Sequence, residues 1–290
     1  MDKNLSLALE AVDKYRKFQF LVESLSVEKG LSKGHQDYQK FIVLTRARSG
    51  SNLLCDLLGS SSQILLFGEL FQKKHRGIIW NHWQPKYYKS EAVLSIRENH
   101  PVQFLEDIVF RCYPRRIKAV GFKIFYNHAR EPEWQPVWEY LKADPSIKII
   151  HLYRRNILKV YLSTMIASKT RKHIQRKSFL QRRANSDNAQ RSIELSYEGC
   201  LTAFEKTVNW QQEAHEFFAQ HSMKNLVHED FISNWDETLE DLQAFLGAKS
   251  EPLRTSMVKQ SSQALADSIS NYWELKEQFK ETPWSPFFTQ

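Results

Sequence analysis

The residues with the clearest chemical content lie in Phe41-Ile-Val-Leu-Thr-Arg-Ala-Arg-Ser-Gly-Ser-Asn-Leu-Leu-Cys-Asp56. A β-branched, apolar run stops at Arg46, a short polar turn follows, and apolar residues resume at helical spacing. A strand that runs into a Ser/Gly turn at a helix start can cradle a phosphate, because free backbone N–H groups and the positive end of the helix dipole face the anion. The turn departs from the nucleotide-triphosphate loop, which needs Gly, four residues, then Gly-Lys-Ser/Thr. Here Arg48 precedes the glycine and no Gly-Lys pair follows it.

A second stretch, His151-Leu-Tyr-Arg-Arg-Asn-Ile-Leu-Lys-Val-Tyr-Leu-Ser163, reads as a strand ending in two arginines with a helix beginning at Asn156. Ser163 lies two helical turns beyond Asn156 and shares its face. Arg155 and Ser163 are therefore expected to converge on one anion, the arginine through its fork and the serine through its hydroxyl. Arg154 reads as a surface charge, since adjacent strand-end side chains diverge. In an open α/β sheet ligands bind beyond the carboxyl ends of the strands, so both turns belong to one edge. Two anion sites on one edge imply a ligand phosphorylated at two places.

These residues resemble a known family. Arg48-Ser-Gly-Ser-Asn52 is similar to the 5′-phosphosulfate loop of sulfotransferases, and Arg155-Asn156 with Ser163 resembles their 3′-phosphate motif. Val120-Gly-Phe-Lys-Ile-Phe-Tyr-Asn-His128 and the tail Lys259-Gln-Ser-Ser-Gln…Ile269-Ser-Asn-Tyr-Trp-Glu-Leu275 resemble the bacterial carbohydrate branch, which includes trehalose and nodulation-factor enzymes. The resemblance spans roughly 41–275. It implies a three-layer α/β fold with a mainly parallel sheet and the donor 3′-phosphoadenosine 5′-phosphosulfate (PAPS), with no metal. It further implies that Arg48 stabilises the leaving oxygen and that Ser49, Gly50, Ser51, Asn52 and Leu53 hold the 5′-phosphate through backbone N–H groups. Arg155 and Ser163 would hold the 3′-phosphate. Glu69, just past the second strand, is the implied general base, and His128, near the end of the third, is the reserve candidate. Lys123 lies within that third strand, and its direction is not fixed by sequence.

The elements that must position these residues follow from periodicity and turn residues. Residues 4–27 read as one helix or two. Strands are expected at 41–46, 64–67, 119–125, 147–153 and 226–228. Helices are expected after Ser51, over 102–112, from Asn156 to about Ala167, from about Ser192 to His221, and from Trp235 to Leu246 with Gly247 closing it. Residues 1–40 form a helical extension and 41–290 one sulfotransferase domain. Trp80, Trp83, Tyr87 and Tyr88 are acceptor-site candidates, because aromatic faces pack on sugar rings.

Of 290 residues, 42% are hydrophobic, enough for a core, and nine Gly and nine Pro argue against a disordered chain. The net charge of +8 is local: Lys169, Arg171, Lys172, Arg176, Lys177, Arg182, Arg183 and Arg191 stand against Asp187 alone, so seven of the eight charges sit between 167 and 193. A nucleic-acid binder more often spreads such charge over a face. The segment reads equally as a solvated stretch or as a lid over an anionic substrate. Cys55, Cys112 and Cys200 have no metal-ligand spacing, and their odd number fits a reducing compartment. No run of about 18 apolar residues is present, so cytoplasmic residence is the expectation, with a small-molecule, glycan or glycolipid acceptor and no nucleic-acid partner. A homodimer is left open. The alternatives to sulfuryl transfer are a P-loop nucleotide kinase or NTPase and a non-enzymatic anion- or nucleic-acid-binding relative.

Overall fold

A computed structural model describes residues 3–72, 90–170, 192–255, 257 and 264–289. The basic 171–191 stretch, the aromatics at 80–88 and the tail residues 258–263 lie outside the described residues.

The sheet grows from five runs rich in Ile, Val, Leu and Phe: β1 (Gln39–Thr45), β2 (Ile64–Glu69), β3 (Ala119–Phe125), β4 (Lys148–Tyr153) and β5 (Met223–Val227). All pairings are parallel, in the order β2-β3-β1-β4-β5. A parallel sheet must be covered on both faces, and the alternation along β1 shows it. Ile42 and Leu44 join a cluster with Val120, Phe122, Trp134, Trp138 and Phe218 on one face. Phe41 and Val43 pack on the other with Leu54, Leu57, Leu58, Leu226, Phe231 and Leu242. The cover comes from α2 (Ser51–Leu58), α8 (His228–Ser233) and α9 (Trp235–Phe245) on the second face, and from α3 (Glu91–Asn99), α4 (Pro101–Phe104) and α5 (Pro136–Ala143) on the first. Gly121 is where backbone approaches backbone, since a Cβ there would lie 2.3 Å from the Phe41 carbonyl oxygen.

A third cluster joins α6 (Ile157–Thr170) and α7 (Tyr197–Phe217) to α10 (Leu265–Ser268), α11 (Tyr272–Gln278) and Phe288. Asn156 ties it to the sheet edge: its Oδ1 accepts from the Lys159 N–H at 3.1 Å, capping α6, and its Nδ2 donates to the Phe287 carbonyl at 2.9 Å. α1 (Lys3–Glu28) is one continuous helix that enters the first core through Phe20. No described helix is long and apolar enough to cross a membrane.

Several elements differ from the sequence expectation, the last strand among them, which runs over Met223–Val227 and not 226–228. The 102–112 helix is α4, opened by Pro101, followed by a π turn at Leu105–Val109 that places Leu105 and Val109 in the core. The long helix begins at Tyr197, not near Ser192, since the Ser196 hydroxyl accepts from the Gly199 N–H and caps it there.

Candidate active site

β1 stands at the centre, and the chain leaves it toward β2 on one side and, much later, enters β4 on the other. This reversal opens a crevice beyond the carboxyl ends of β1 and β4. The turn Arg46–Gly50 lies at that crevice. Two of its residues have left-handed backbone, Arg48 at φ 71° and Gly50 at φ 88°. A left-handed arginine costs about 1 kcal/mol or more, a strain that collects at functional sites. Gly50 is required twice over, by its φ and because a Cβ there would fall 2.2 Å from His228 Nδ1. α2 starts at Ser51 without a side-chain cap, so its first-turn N–H groups face the crevice, except that the Leu53 N–H already donates to the Gly50 carbonyl at 3.1 Å.

Three buried polar atoms ring the turn without a hydrogen-bond partner among the described residues: Ser49 Oγ, Arg154 Nε and His228 Nδ1. Burial, and then Arg154, hold the Arg48 guanidinium below the usual arginine range. Arg154 is likewise lowered by burial, against the opposing pull of Glu229. Two half-buried like charges beside buried, unsatisfied polar atoms are costly unless an anion joins them. His228, at the carboxyl end of β5, has its pKa lowered to about 4 by burial and then by Arg154, with Glu229 opposing, so the ring is neutral near pH 7.

Arg48 Nε donates to Ser163 Oγ at 2.9 Å, bridging the turn after β1 to α6 across the crevice. The expected convergence of Arg155 on Ser163 is absent. The Arg155 side chain is 54% exposed and its Nη2 donates to both carboxylate oxygens of Asp230 at 2.8 Å, while its N–H donates to Glu229 at 3.0 Å. Arg154 and Arg155 do diverge, but it is Arg154 that turns inward to Arg48 and His228.

The second half of the site lies at the carboxyl ends of β2 and β3. The pairing of β2 with β3 shifts between Phe67 and Glu69, bringing Glu69 opposite Lys123. Lys123 Nζ reaches Glu69 Oε1 at 2.9 Å and donates to Asn52 Oδ1 at 2.6 Å. The Glu69 Oε2 lies 4.0 Å from His128 Nε2. His128 Nδ1 accepts from the Phe125 N–H at 3.3 Å, which leaves the proton of the neutral ring on Nε2, toward Glu69. Burial lowers the His128 pKa to about 4, with Glu69 opposing and Lys123 reinforcing the shift. Asn52, Lys123, Glu69 and His128 thus form one buried polar chain, the lysine at 4% and the glutamate at 11% side-chain exposure.

The structure therefore brings Ser49, Gly50, Ser51 and Asn52 together with Arg48 and Ser163 on one side, and Glu69 with His128 on the other. Three participants carried little sequence signal: the inward turn of Arg154, the Lys123 bridge, and His228. A histidine at the end of the last parallel strand was the available clue, since that strand ends on the same edge.

No protein-family model matches the chain. It is 25% identical over 253 residues to Nodulation protein H of Rhizobium meliloti, covering 86% of this chain and 94% of that protein. It is also 25% identical over 255 residues to Nodulation protein H of Rhizobium tropici, covering 86% and 93%. Among solved structures it is similar to a sulfotransferase from Alicyclobacillus acidocaldarius (TM-score 0.47, 14% identity, 86% of this chain and 92% of that one). It is also similar to the sulfotransferase domain of the Synechococcus PCC 7002 olefin synthase (TM-score 0.36, 12% identity, 86% and 90%).

Proposed function

We propose that this chain, a member of the bacterial sulfotransferase family, moves a sulfuryl group from PAPS to a hydroxyl of a carbohydrate or similar polar metabolite. The observation that carries the reading is the ring of Arg48, Arg154, Ser49 Oγ and His228 Nδ1 around a glycine turn, with a carboxylate–lysine pair one strand away. The donor is a substrate with anionic groups at its 5′ and 3′ ends, and half-buried cations beside unsatisfied donors suit such a ligand.

In this reading the first-turn N–H groups of α2 and the Ser49 hydroxyl hold the 5′-phosphate. Arg48, fixed by Ser163, sits at the oxygen that bridges phosphorus and sulfur. That oxygen gains negative charge as its bond to sulfur breaks, and the guanidinium stabilises it without giving up a proton. Glu69 accepts the proton of the acceptor hydroxyl as the new oxygen–sulfur bond forms. Its Oε1 is held by Lys123, so Oε2 is the oxygen left to meet the acceptor. His128, neutral and with Nε2–H facing Glu69 Oε2 at 4.0 Å, lines the side of the carboxylate where the acceptor would enter. Arg155 would take the 3′-phosphate by exchanging its exposed partner Asp230 for the ligand. Sulfuryl transfer then depends mostly on positioning and electrostatics, as phosphoryl transfer does.

Titration calorimetry with adenosine 3′,5′-bisphosphate, the desulfated donor product, tests this reading. Magnesium-independent binding at one site, weakened in Arg48→Ala, supports it. Absence of binding, or magnesium-dependent turnover of ATP, refutes it in favour of a nucleotide kinase.

A further inference from the structure

Among the described residues eight large hydrophobics are exposed, and four of them lie on α1: Tyr15 at 66%, Phe18 at 66%, Val22 at 47% and Leu25 at 41%. Their spacing of three, four and three is that of a coiled-coil seam, so they form one stripe along the helix. The opposite face is pinned to the body of the protein. Phe20 and Ser24 are buried, Glu23 pairs with Arg116 at 2.5 Å, Glu28 with Arg111 at 2.8 Å, and Arg16 with Glu251 at 3.8 Å. The helix is thus held in place with an apolar seam turned outward. Scattered apolar residues on a surface need no explanation, whereas a contiguous patch does.

We propose that this seam is the contact between two copies of the chain, packed as an antiparallel helix pair about a two-fold axis. Such an axis passing at the level of Phe20 sets Tyr15 against Leu25 of the second copy and Phe18 against Val22, a large side chain against a smaller one at each step. The parallel arrangement would oppose ring to ring and valine to valine. The pinned face lies behind the seam, so the two bodies fall on opposite sides of the pair. Two aromatic rings at two-thirds exposure, with Val22 and Leu25, offer roughly 400 Å² of apolar surface per copy, taking about 150–250 Å² for a whole aromatic side chain. The pair would bury about 800 Å² of apolar area, and the flanking Gln19 and Ser26 carry the total to the ~1,000 Å² that a specific interface requires. A membrane surface is the poorer occupant. Helices that lie on anionic lipid carry a Lys/Arg-rich polar face, whereas α1 has four basic residues, Lys3, Lys14, Arg16 and Lys17, against four acidic ones, Glu10, Asp13, Glu23 and Glu28.

Sedimentation velocity on the full chain from about 1 to 100 µM, with Phe18→Glu and Val22→Glu alongside, tests the proposal. The wild type should run at twice the chain mass, and each variant should raise the dimer dissociation constant about thirtyfold or more, the loss expected for a buried anchor. Both positions are exposed in the single chain, so the melting temperature measured at monomeric concentrations should not change. In a Cys112→Ser background, Phe18→Cys chains mixed with Val22→Cys chains should cross-link unlike to unlike on oxidation. A wild type that stays monomeric throughout overturns the proposal, as does a dimer that survives both charge substitutions. Cross-linking of Val22→Cys chains to each other alone overturns the antiparallel arrangement. Co-sedimentation of a monomeric wild type with phosphatidylglycerol vesicles would assign the seam to a membrane.

Discussion

Replacing Lys123 by methionine removes the cation at the middle of the buried chain while nearly keeping its volume. The Lys123–Glu69 contact of 2.9 Å carries a direct attraction of about 6 kcal/mol at an effective dielectric of about 20. Much of that is spent on desolvating the two groups, but removing one partner strands the other. For a buried pair such a loss is about 3–5 kcal/mol. In a chain of this length, at about 2 °C per kcal/mol, Lys123→Met should melt roughly 6–10 °C below the wild type. Lys123→Met/Glu69→Gln should regain at least half of that, because an amide beside a thioether leaves no buried charge unpaired. Differential scanning calorimetry on the four proteins of the cycle measures both numbers. Turnover should separate from ligand affinity: kcat falls about 10²-fold, the cost of a misplaced reacting group, while adenosine 3′,5′-bisphosphate still binds within about threefold. A Lys123→Met protein that melts within about 2 °C of the wild type would show that the buried pair is not coupled in this way. So would a double variant no more stable than the single one.

Gly50→Ala should lower the affinity for adenosine 3′,5′-bisphosphate at least tenfold in calorimetry and cost about 1–2 kcal/mol of stability for its left-handed backbone alone, with the His228 ring forced off the turn; unchanged binding would show that the turn is not the cradle. Acid sensitivity should appear well above the carboxylate range. His128, His151 and His228 all have folded pKa values of about 4 against an ordinary 6.5, each lowered first by burial. The unfolded chain therefore binds more protons between these values, so their contribution is complete above about pH 6.5 and is lost as pH falls toward 4. The slope near pH 5 approaches three protons, about 4 kcal/mol per pH unit at most. Urea midpoints that are flat from pH 7 to 5 would contradict it.

How much the sequence disclosed differs between the two halves of the site. The turn 46–52 was legible because a strand, a Ser/Gly turn and a helix are local features, fixed by residues within a few positions of each other. The strand set and its parallel pairing followed from alternating apolar runs separated by helical ones. Glu69 and His128 could be nominated as strand-end residues. Their link through Lys123 could not, because it depends on the shifted β2–β3 pairing, which no local pattern specifies. Arg154 and Arg155 show the same limit. Adjacent strand-end residues diverge, but only the position of β5 and α8, with Asp230 and Glu229 outside and His228 inside, determines which arginine faces the turn.

Under the proposed function, the crevice at β1 and β4 takes an adenosine carrying phosphates at both its 3′ and 5′ positions. Calorimetry comparing adenosine 3′,5′-bisphosphate with 5′-AMP tests it most directly, since the two differ only in the 3′-phosphate. One site is expected without magnesium, at least tenfold weaker for 5′-AMP, with that preference abolished by Arg155→Ala and with both ligands weakened by Arg48→Ala. Equal affinity for the two nucleotides, or no heat from either, would contradict it.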